Sequence, residues 1–370
     1  MRHSLIASAM LALSVGGWHA ARDTVASAVA EPGPTRPATP PIPTAKAASP
    51  TEGGPRILER QPCTLPDYDA FIAAEAPRIR DEMKRSGLLD ELAREPVTAI
   101  YSRADMTALH AANRAGRCLR IVYPSGALRI VGHLMRPAGH GRHPTVLYAR
   151  GGNAEFGKVD PYALLRLQQL VQRGYVVLAT QYRGADGGDG QDEFGGRDVD
   201  DLMELARLAR TLPFVDGDNL FLHGRSRGAM QAALALRRGI PVRAAVLVSG
   251  AYDLQAVLAQ RPRMHRVFAA RIPDFAEQPE RELAKRSALR WPDELRVPVL
   301  IFHAHEDWRT PVASAIALAR ALAQIGHPHE LVLFERDDHS ITFRHKQMFQ
   351  READWLDQHR TPVDDNASPE

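Results

Sequence analysis

The sequence contains few cysteines and no strong excess of charge, and both shortages exclude classes of protein. Its only cysteines are Cys63 and Cys118, and no Cys-x-x-Cys pair or Cys/His cluster has the spacing of a zinc site. We therefore expect no metal. The formal net charge is +3 over 370 residues, and acidic and basic residues interleave, so we expect no nucleic-acid partner.

Long apolar runs are also missing, with one short exception near the N-terminus. Arg2 and His3 precede an Ala/Leu-rich run over 5–15, and the small residues Ala28-Val29-Ala30 follow. The run is too short for a comfortable membrane span, and this order is typical of a cleaved secretory signal. We expect residues 1–30 to be a signal peptide and the mature chain to be periplasmic or secreted, without stable membrane insertion. An uncleaved signal that anchors the chain in the membrane is the alternative.

The two cysteines gain a role if the chain is exported. In an oxidising compartment they allow a single intramolecular pairing, a Cys63–Cys118 disulfide. This bond would attach the N-terminal extension to the first strands of the main domain. Two free thiols are the alternative interpretation.

Composition divides the rest of the chain into segments. Residues 31–58 are rich in Pro, Ala, Thr and Gly and have little apolar content to bury, which predicts a disordered linker. Residues 66–95 carry helical patterning that Pro77 and Gly87 interrupt, which predicts two or three short helices in an N-terminal helical extension over 59–117. The polar residues 361–370 are expected to form a disordered tail.

Residues 118–360 combine strand and helix patterns in the order of an α/β domain. The early strands lack helices between them and the later strands alternate with helices, which predicts a mostly parallel sheet with helices on both faces. A charged stretch at 253–296 has no strand signal and is expected to be a cap over the site. The eight predicted strands are 119–123, 128–135, 145–148, 176–179, 219–222, 244–248, 299–302 and 331–334.

A Gly-x-Ser-x-Gly sequence joins the fifth predicted strand to a helix. Ser226 is at its centre, between Gly224 and Gly228, and helix-forming residues follow directly. A serine on a sharp strand-to-helix turn projects its hydroxyl clear of the sheet, and the glycines let strand and helix approach closely. Ser226 is therefore the predicted nucleophile. Eight strands with such a turn after the fifth are the arrangement of an α/β-hydrolase fold.

A nucleophilic serine needs a base and an acid, which in this fold follow along the chain in the order Ser, Asp, His. Asp307 follows the seventh predicted strand and His339 follows the eighth. Both would stand at the carboxyl edge of the sheet, where the active sites of parallel sheets assemble. We predict Asp307 as the acid and His339 as the base, with Glu306 and the Asp337/Asp338 pair as competing acids. Residues interpreted as loop or packing residues are His303, His305, Asp337 and Asp338.

A glycine pair follows the third predicted strand, in the turn Arg150-Gly151-Gly152-Asn153. The N–H groups of Gly151 and Gly152 are suited to bind an oxyanion together with the backbone N–H of Arg227. A flexible turn without a catalytic role is the alternative. Arg150 and Asn153 flank the glycine pair and are candidate substrate-binding residues.

A glycine- and acid-rich segment precedes the serine, with Tyr182-Arg183-Gly184 and then Gly187-Gly188-Asp189-Gly190 ahead of Phe194-Gly195-Gly196. Together with the serine turn, the Asp307-x-x-Thr310-Pro311 run and His339, it resembles the catalytic domain of the prolyl oligopeptidase family of serine peptidases. The resemblance spans roughly 118–360. It implies an α/β-hydrolase fold with Ser226 as nucleophile, Asp307 as acid and His339 as base. The glycine-pair turn resembles a bacterial subset that lacks the family's β-propeller.

Three arginines surround the predicted site. Arg150 stands where prolyl oligopeptidases themselves have a tyrosine whose hydroxyl serves the oxyanion hole. Arg225 and Arg227 flank the serine. The three residues either attract anionic substrates or form structural salt bridges beneath the serine turn, and we favour the second interpretation.

These observations predict an exported serine hydrolase that works through an acyl-enzyme and requires no metal or organic cofactor. The resemblance implies a peptidase that hydrolyses amide or peptide bonds. A carboxylesterase acting on small esters is the second hypothesis, and a binding module on an inactive hydrolase scaffold is the third. The expected partner is a small peptide or ester substrate. The sequence does not predict an oligomeric state.

Overall fold

A sheet of ten strands forms the centre of the molecule, which a computed structural model describes over residues 27–28 and 54–361. The strands are β1 (Ser27–Ala28), β2 (Glu59–Pro62), β3 (Arg117–Ser125), β4 (Leu128–Arg136), β5 (His143–Ala149), β6 (Val176–Thr180), β7 (Val215–Arg225), β8 (Ala245–Val248), β9 (Val299–Ala304) and β10 (His329–Phe334). Their order in space is β1-β10-β9-β8-β7-β5-β6-β4-β3-β2. Strands β5 to β10 run parallel, and the remaining strands pair antiparallel at the two sides.

Three predicted segments fall largely outside this description. The signal peptide, 1–30, lies outside the described residues except for Ser27 and Ala28, as do residues 31–53 of the predicted linker and residues 362–370 of the predicted tail. Export therefore stays a prediction.

The α/β class is confirmed, although the sheet is wider than the eight predicted strands. The additional strands β1 and β2 precede residue 118 and pair antiparallel with β10 and β3. All four residues of β2 are exposed, so the strand has none of the alternating apolar residues by which a sequence reveals a strand. Residues 59–62 are thus a strand, and the helical extension begins only after them.

Helices cover both faces of the sheet and make two hydrophobic layers. One layer packs α6 (Asp198–Thr211), α7 (Arg227–Arg237) and α11 (Val312–Gln324) against the sheet. The other packs α5 (Pro161–Gln172) and α12 (His345–Gln358) against the opposite face. Helix α5 begins where Asp160 accepts a hydrogen bond from the N–H of Ala163 and Pro161 takes the first helical position, which is a favoured helix start.

The N-terminal extension forms four helices: α1 (Tyr68–Ser86), α2 (Leu89–Arg94), α3 (Val97–Ile100) and α4 (Arg103–Ala115). The predicted interruption at Pro77 is wrong, because α1 continues through it and buries Phe71 and Ile79 on either side in one apolar core. The predicted end at Gly87 is right, and its φ of 73° suits a glycine C-cap. These helices share their own apolar core and reach the main domain through Leu165 of α5. Across the described residues, every helix is too short or too polar to cross a membrane.

Residues 253–296 lie between β8 and β9 and fold as α8 (Leu254–Gln260), α9 (Met264–Arg271), α10 (Pro279–Lys285) and two short 3-10 turns. We call this segment the cap. Phe268, Ile272 and Phe275 anchor it in the apolar layer that contains α6 and α7.

A disulfide joins Cys63, directly after β2, to Cys118 in β3, with the two Cα atoms 5.3 Å apart. The N–H of Cys63 also donates to the carbonyl of Cys118 at 3.1 Å. The bond attaches the edge strand to the sheet at the start of the extension.

Candidate active site

The strand-to-helix turn holds Ser226 in a strained conformation. Strand β7 ends at Arg225 and α7 begins at Arg227, and Ser226 between them has φ 56° and ψ −122°. Such a conformation costs a non-glycine residue about 1–3 kcal/mol and persists only where its surroundings impose it. The N–H of Ser226 donates to the carbonyl of Val248 at 2.8 Å, which ties the turn to β8.

Close packing under the turn explains the glycines of the Gly-x-Ser-x-Gly sequence. A side chain at Gly228 would collide with the carbonyl of Ala149 at the end of β5, and one at Gly224 would collide with the carbonyl of Gly228. The start of α7 therefore lies directly against two strands. This packing sets the direction in which Ser226 leaves the sheet.

Asp307 and His339 meet in the loops that follow β9 and β10. Nδ1 of His339 donates to Oδ2 of Asp307 at 2.7 Å, and both side chains are buried. Asp307 also accepts from the hydroxyl of Thr310 at 2.7 Å. Burial alone would raise the pKa of Asp307, but the charge and hydrogen bonds of His339 and His303 hold it well below its usual value. Asp307 is thus an anion that orients the imidazole of His339.

His303 has a contact that sequence reasoning missed. Its Nε2 lies 3.2 Å from Oδ2 of Asp307 and 3.1 Å from the carbonyl of Thr310, and the ring is fully buried. His303 is therefore a second histidine on the acid, rather than a residue that only packs the strand end. The one feature of the sequence that could have indicated this contact is the position of His303, at the end of a predicted strand and four residues before Asp307.

Asp337 and Asp338 hold the loop that carries His339. Oδ1 of Asp338 accepts from the N–H of Thr342 at 2.9 Å, and Asp337 accepts from the N–H groups of Phe343 and Arg344 at 3.2 and 3.1 Å. Their place in the loop agrees with the interpretation as loop residues. Glu306, a further competing acid, accepts from the N–H of Asp337 at 3.2 Å and does not contact His339.

The glycine-pair turn lies against the serine. A Cβ built on Gly151 would stand 3.1 Å from Cβ and 3.7 Å from Oγ of Ser226. Among the described residues, the N–H groups of Gly151, Gly152 and Arg227 have no acceptor. Unpaired backbone N–H groups beside a serine hydroxyl are the elements of an oxyanion hole.

Comparison with known proteins identifies the family. The family model described as the prolyl oligopeptidase family matches residues 162–362, which include Ser226, Asp307 and His339. The chain belongs to the prolyl oligopeptidase family. It is a serine hydrolase with the α/β-hydrolase fold, as the sequence resemblance implied.

The chain is 30% identical over 215 residues to the uncharacterized peptidase YtmA of Bacillus subtilis, which covers 58% of this chain and 82% of that protein. It is 28% identical over 254 residues to the uncharacterized peptidase YuxL of the same organism, over 62% of this chain but 37% of that protein. An acylaminoacyl peptidase of Pyrococcus horikoshii has a similar structure, with a TM-score of 0.58 at 17% identity, over 69% of this chain and 43% of that chain. The chain thus spans less than half the length of the last two.

Arg150 departs from the family's tyrosine and also from both sequence predictions for it. Its side chain is 1% exposed, and its guanidinium donates to the carbonyls of Gly151, Ala154, Phe156 and Gln181 at 2.7 to 3.2 Å. Burial and the charge of Arg227 lower the pKa of Arg150 to about 10. A buried guanidinium has to pair its donors, and backbone carbonyls do so here. Arg150 therefore has no donor left for a substrate and no salt bridge among the described residues, and its hydrogen bonds brace the glycine-pair turn.

Arg227 does form salt bridges beneath the serine turn. Its guanidinium donates to both oxygens of Asp192 at 2.7 Å and to Asp198, and all three side chains are buried. Burial would lower the pKa of Arg227, but the two carboxylates raise it. Arg225 is different, because within the described part of the chain its side chain donates only to the carbonyl of His339, at 3.4 Å, and forms no salt bridge.

Helix α1 reaches the loop that carries Asp307. Glu82 accepts from the indole N–H of Trp308 at 2.8 Å and from Nη2 of Arg309 at 2.7 Å, across 226 and 227 residues of sequence. Beside this contact lies a cavity of about 590 Å³ between α1 and the main domain. The cavity is lined by Phe156, Arg225 and Ser340. Arg225 precedes Ser226 and Ser340 follows His339, so the cavity borders the candidate site.

Proposed function

We propose that Ser226, Asp307 and His339 form a catalytic triad that hydrolyses an acyl bond through an acyl-enzyme. The observation that carries the proposal is the buried 2.7 Å hydrogen bond from His339 to Asp307, in loops beside the strained serine turn. An anionic acid that orients a histidine is the part of such a triad that activates the serine, and Ser226 is half-buried.

In the proposed reaction, Oγ of Ser226 attacks the carbonyl carbon while Nε2 of His339 takes the hydroxyl proton. The N–H groups of Gly151 and Arg227, with Gly152 as a further candidate donor, bind the oxyanion of the tetrahedral intermediate. His339 then gives its proton to the leaving group, whose bond to the carbonyl carbon breaks. Water attacks the acyl-enzyme with His339 as the base, which releases the acid and restores Ser226.

The substrate class that we propose is a peptide or an aminoacyl amide. Membership of the prolyl oligopeptidase family and the similarity to YtmA, a protein described as a peptidase, support this choice. A carboxylesterase acting on small esters is the second candidate. The observation in its favour is Arg150, which supplies no side-chain donor to the oxyanion in place of the family's tyrosine.

Labelling with a fluorophosphonate tests the nucleophile. We expect the wild-type protein to be labelled at Ser226 and the Ser226→Ala variant to remain unlabelled. An unlabelled wild type, as a binding module would give, or equal labelling of both proteins would contradict the mechanism. Among enzymes, nitrophenyl esters compared with aminoacyl and peptidyl anilides of the same acyl group separate esterase from peptidase.

Export through an N-terminal signal remains part of the proposal. Sequencing the N-terminus of the protein from its native host tests it, with cleavage near Ala28-Val29-Ala30 as the expected result. A protein that keeps Met1 and stays with the membrane fraction would favour the anchor instead.

A further inference from the structure

One stretch of the cap, between Asp253 and Asp274, carries only positive charge. Residues 254–273 contain four arginines and no aspartate or glutamate. The arginines are Arg261, Arg263, Arg266 and Arg271. None of them forms an ion pair with a carboxylate among the described residues. Such a concentration of unpaired positive charge on one short segment favours a negatively charged partner.

Two of these arginines contact the catalytic loops from opposite sides. Nε of Arg271 donates to Oδ1 of Asn153 at 3.3 Å, and Asn153 directly follows the glycine pair that lies against Ser226. The guanidinium of Arg261 lies 5.0 Å from the ring centre of Trp308, the residue after Asp307. The cap thus places one cation at the oxyanion turn and another at the acid loop.

The carboxylates of the site form their hydrogen bonds with groups other than these two arginines. Asp307 is occupied by His339 and Thr310, and Glu82 is occupied by Trp308 and Arg309. Asp192 and Asp198 bind Arg227 beneath the turn.

Arg261 and Arg271 are both half-buried, so they are partly dehydrated but remain accessible. Burial and the neighbouring charge of Arg309 lower the pKa of Arg261, and the charges of Asp307 and Glu82 oppose this shift only in part. For Arg271, one of its donors binds the amide oxygen of Asn153, and the rest of the guanidinium fork has no described partner. A planar fork of this kind binds a carboxylate with two parallel hydrogen bonds.

We propose that Arg271, assisted by Arg261, binds an acidic side chain of the substrate and makes this enzyme selective for anionic peptides. The inference rests on the proposed function, because it places the acidic group next to the acyl bond that Ser226 would attack. The sequence had offered Arg150, Arg225 and Arg227 as residues that attract anionic substrates. The inference assigns that role to arginines of the cap instead. The first three arginines either are buried with paired donors or contact the loop of His339.

Binding to the full chain carrying Ser226→Ala tests the inference without requiring catalysis. Calorimetry would compare two blocked peptides, acetyl-Ala-Glu-Ala-amide and acetyl-Ala-Gln-Ala-amide, which differ in one charge. We expect the glutamate peptide to bind at least about tenfold more tightly, the scale of one charge-assisted hydrogen bond. Adding Arg271→Gln should remove most of this preference, Arg271→Lys should keep part of it, and Arg261→Gln should reduce it less.

Arg263→Gln is the matched control, since Arg263 belongs to the same segment but is exposed and contacts neither catalytic loop. It should leave the preference nearly unchanged. Equal affinity for the two peptides, including no measurable binding of the glutamate peptide, would overturn the inference. So would an Arg271→Gln variant that weakens both peptides equally, because Arg271 would then only position Asn153. Fluorophosphonate labelling of the wild type reports separately on the nucleophile.

Discussion

The arginines beneath the serine turn and those in the cap place the same side chain in opposite environments. Arg150 and Arg227 are buried, and the terminal guanidinium nitrogens of both donate to carbonyls or carboxylates of the protein. Arg261 and Arg271 are half-buried and have no carboxylate partner among the described residues. A buried cation without partners costs several kcal/mol, whereas a partly exposed one is still solvated. Burial therefore decides which arginine supports the fold and which is available to a ligand.

The comparison extends to the two layers of the site. The lower layer consists of the serine turn, the glycine-pair turn and the loops of Asp307 and His339, which buried hydrogen bonds and ion pairs hold in place. The upper layer consists of the cap and α1, which reach the lower layer through a few polar contacts. Substitutions in the lower layer should therefore affect the turnover of every substrate or the stability of the whole fold. Substitutions in the upper layer should change activity less.

The largest expected effect is that of Asp307→Asn in the lower layer. The amide cannot stabilise the imidazolium, and it favours the wrong tautomer of His339, so kcat should fall about 10⁴-fold. Steady-state kinetics on any cleaved substrate measures this loss. Asp354→Asn, an exposed change on α12, is the control. A loss of less than tenfold with an intact fold would mean that Asp307 is not the triad acid.

Gly151→Ala should act on catalysis with little effect on folding. The added methyl group would stand 3.1 Å from the carbonyl of Arg225 and from Cβ of Ser226, so the turn has to move away from the serine. Loss of one oxyanion donor costs about 10²–10³ in kcat. The matched control is Gly217→Ala, whose new methyl group would have only Arg210 Cγ nearby, at 3.6 Å. Equal kcat in the two variants would argue that the turn has no catalytic role.

Arg227→Met should act mainly on stability. Methionine fills similar space but leaves the buried carboxylates of Asp192 and Asp198 without their cation. Breaking a buried ion pair by removing one partner costs about 3–5 kcal/mol of unfolding free energy. Urea unfolding measures the change, and Arg263→Met in the cap is the control that should cost almost nothing. A similar loss of unfolding free energy in the two variants would contradict the contrast between the buried arginines and those of the cap.

Glu82→Gln tests the contact of α1 with the acid loop. The amide keeps an acceptor for Trp308 but loses the charge that holds Arg309, so the loop of Asp307 should loosen. We expect kcat to fall by about tenfold or less, the scale of one charge-assisted hydrogen bond, and the pH profile of kcat/KM to shift. Glu95→Gln, exposed beside α2, is the control. An unchanged pH profile would make Glu82 a purely structural residue.

Asp337 should make the stability of the fold depend on pH. Burial and the neighbouring charge of Asp338 raise the pKa of Asp337 to about 8. In the unfolded chain the pKa of an aspartate is about 3.9, so between these values the folded state binds more protons than the unfolded state. The contribution of Asp337 to the unfolding free energy is therefore full at low pH and is lost as pH rises towards about 8.

Asparagine does not titrate, so Asp337→Asn should flatten this part of the dependence. The difference in unfolding free energy between wild type and variant should decrease steadily between about pH 4 and pH 8. Urea unfolding at several pH values measures it, with Asp354→Asn as the exposed control. A difference that is constant over this range would mean that Asp337 is ionised throughout.

Local sequence patterns determined the class of fold and the serine turn. The period of apolar residues predicted the eight strands β3 to β10, and Gly224 and Gly228 revealed the turn because short-range sterics permit few other residues there. The chain order of Ser226, Asp307 and His339 followed from the order of the strands. These features depend on neighbours within a few residues, or on the known connection rules of such sheets.

Only the tertiary structure decided where the polar side chains point. Three contacts depend on how separate parts of the chain pack together. They are the contact of His303 with Asp307, the hydrogen bonds of Arg150 to backbone carbonyls, and the hydrogen bond from Trp308 to Glu82. The edge strand β2 likewise forms because β3 offers backbone partners, not because its own residues are apolar. A guanidinium in a sequence carries no sign of whether it will be buried. Burial sets its electrostatic cost, and burial exists only once the chain has folded.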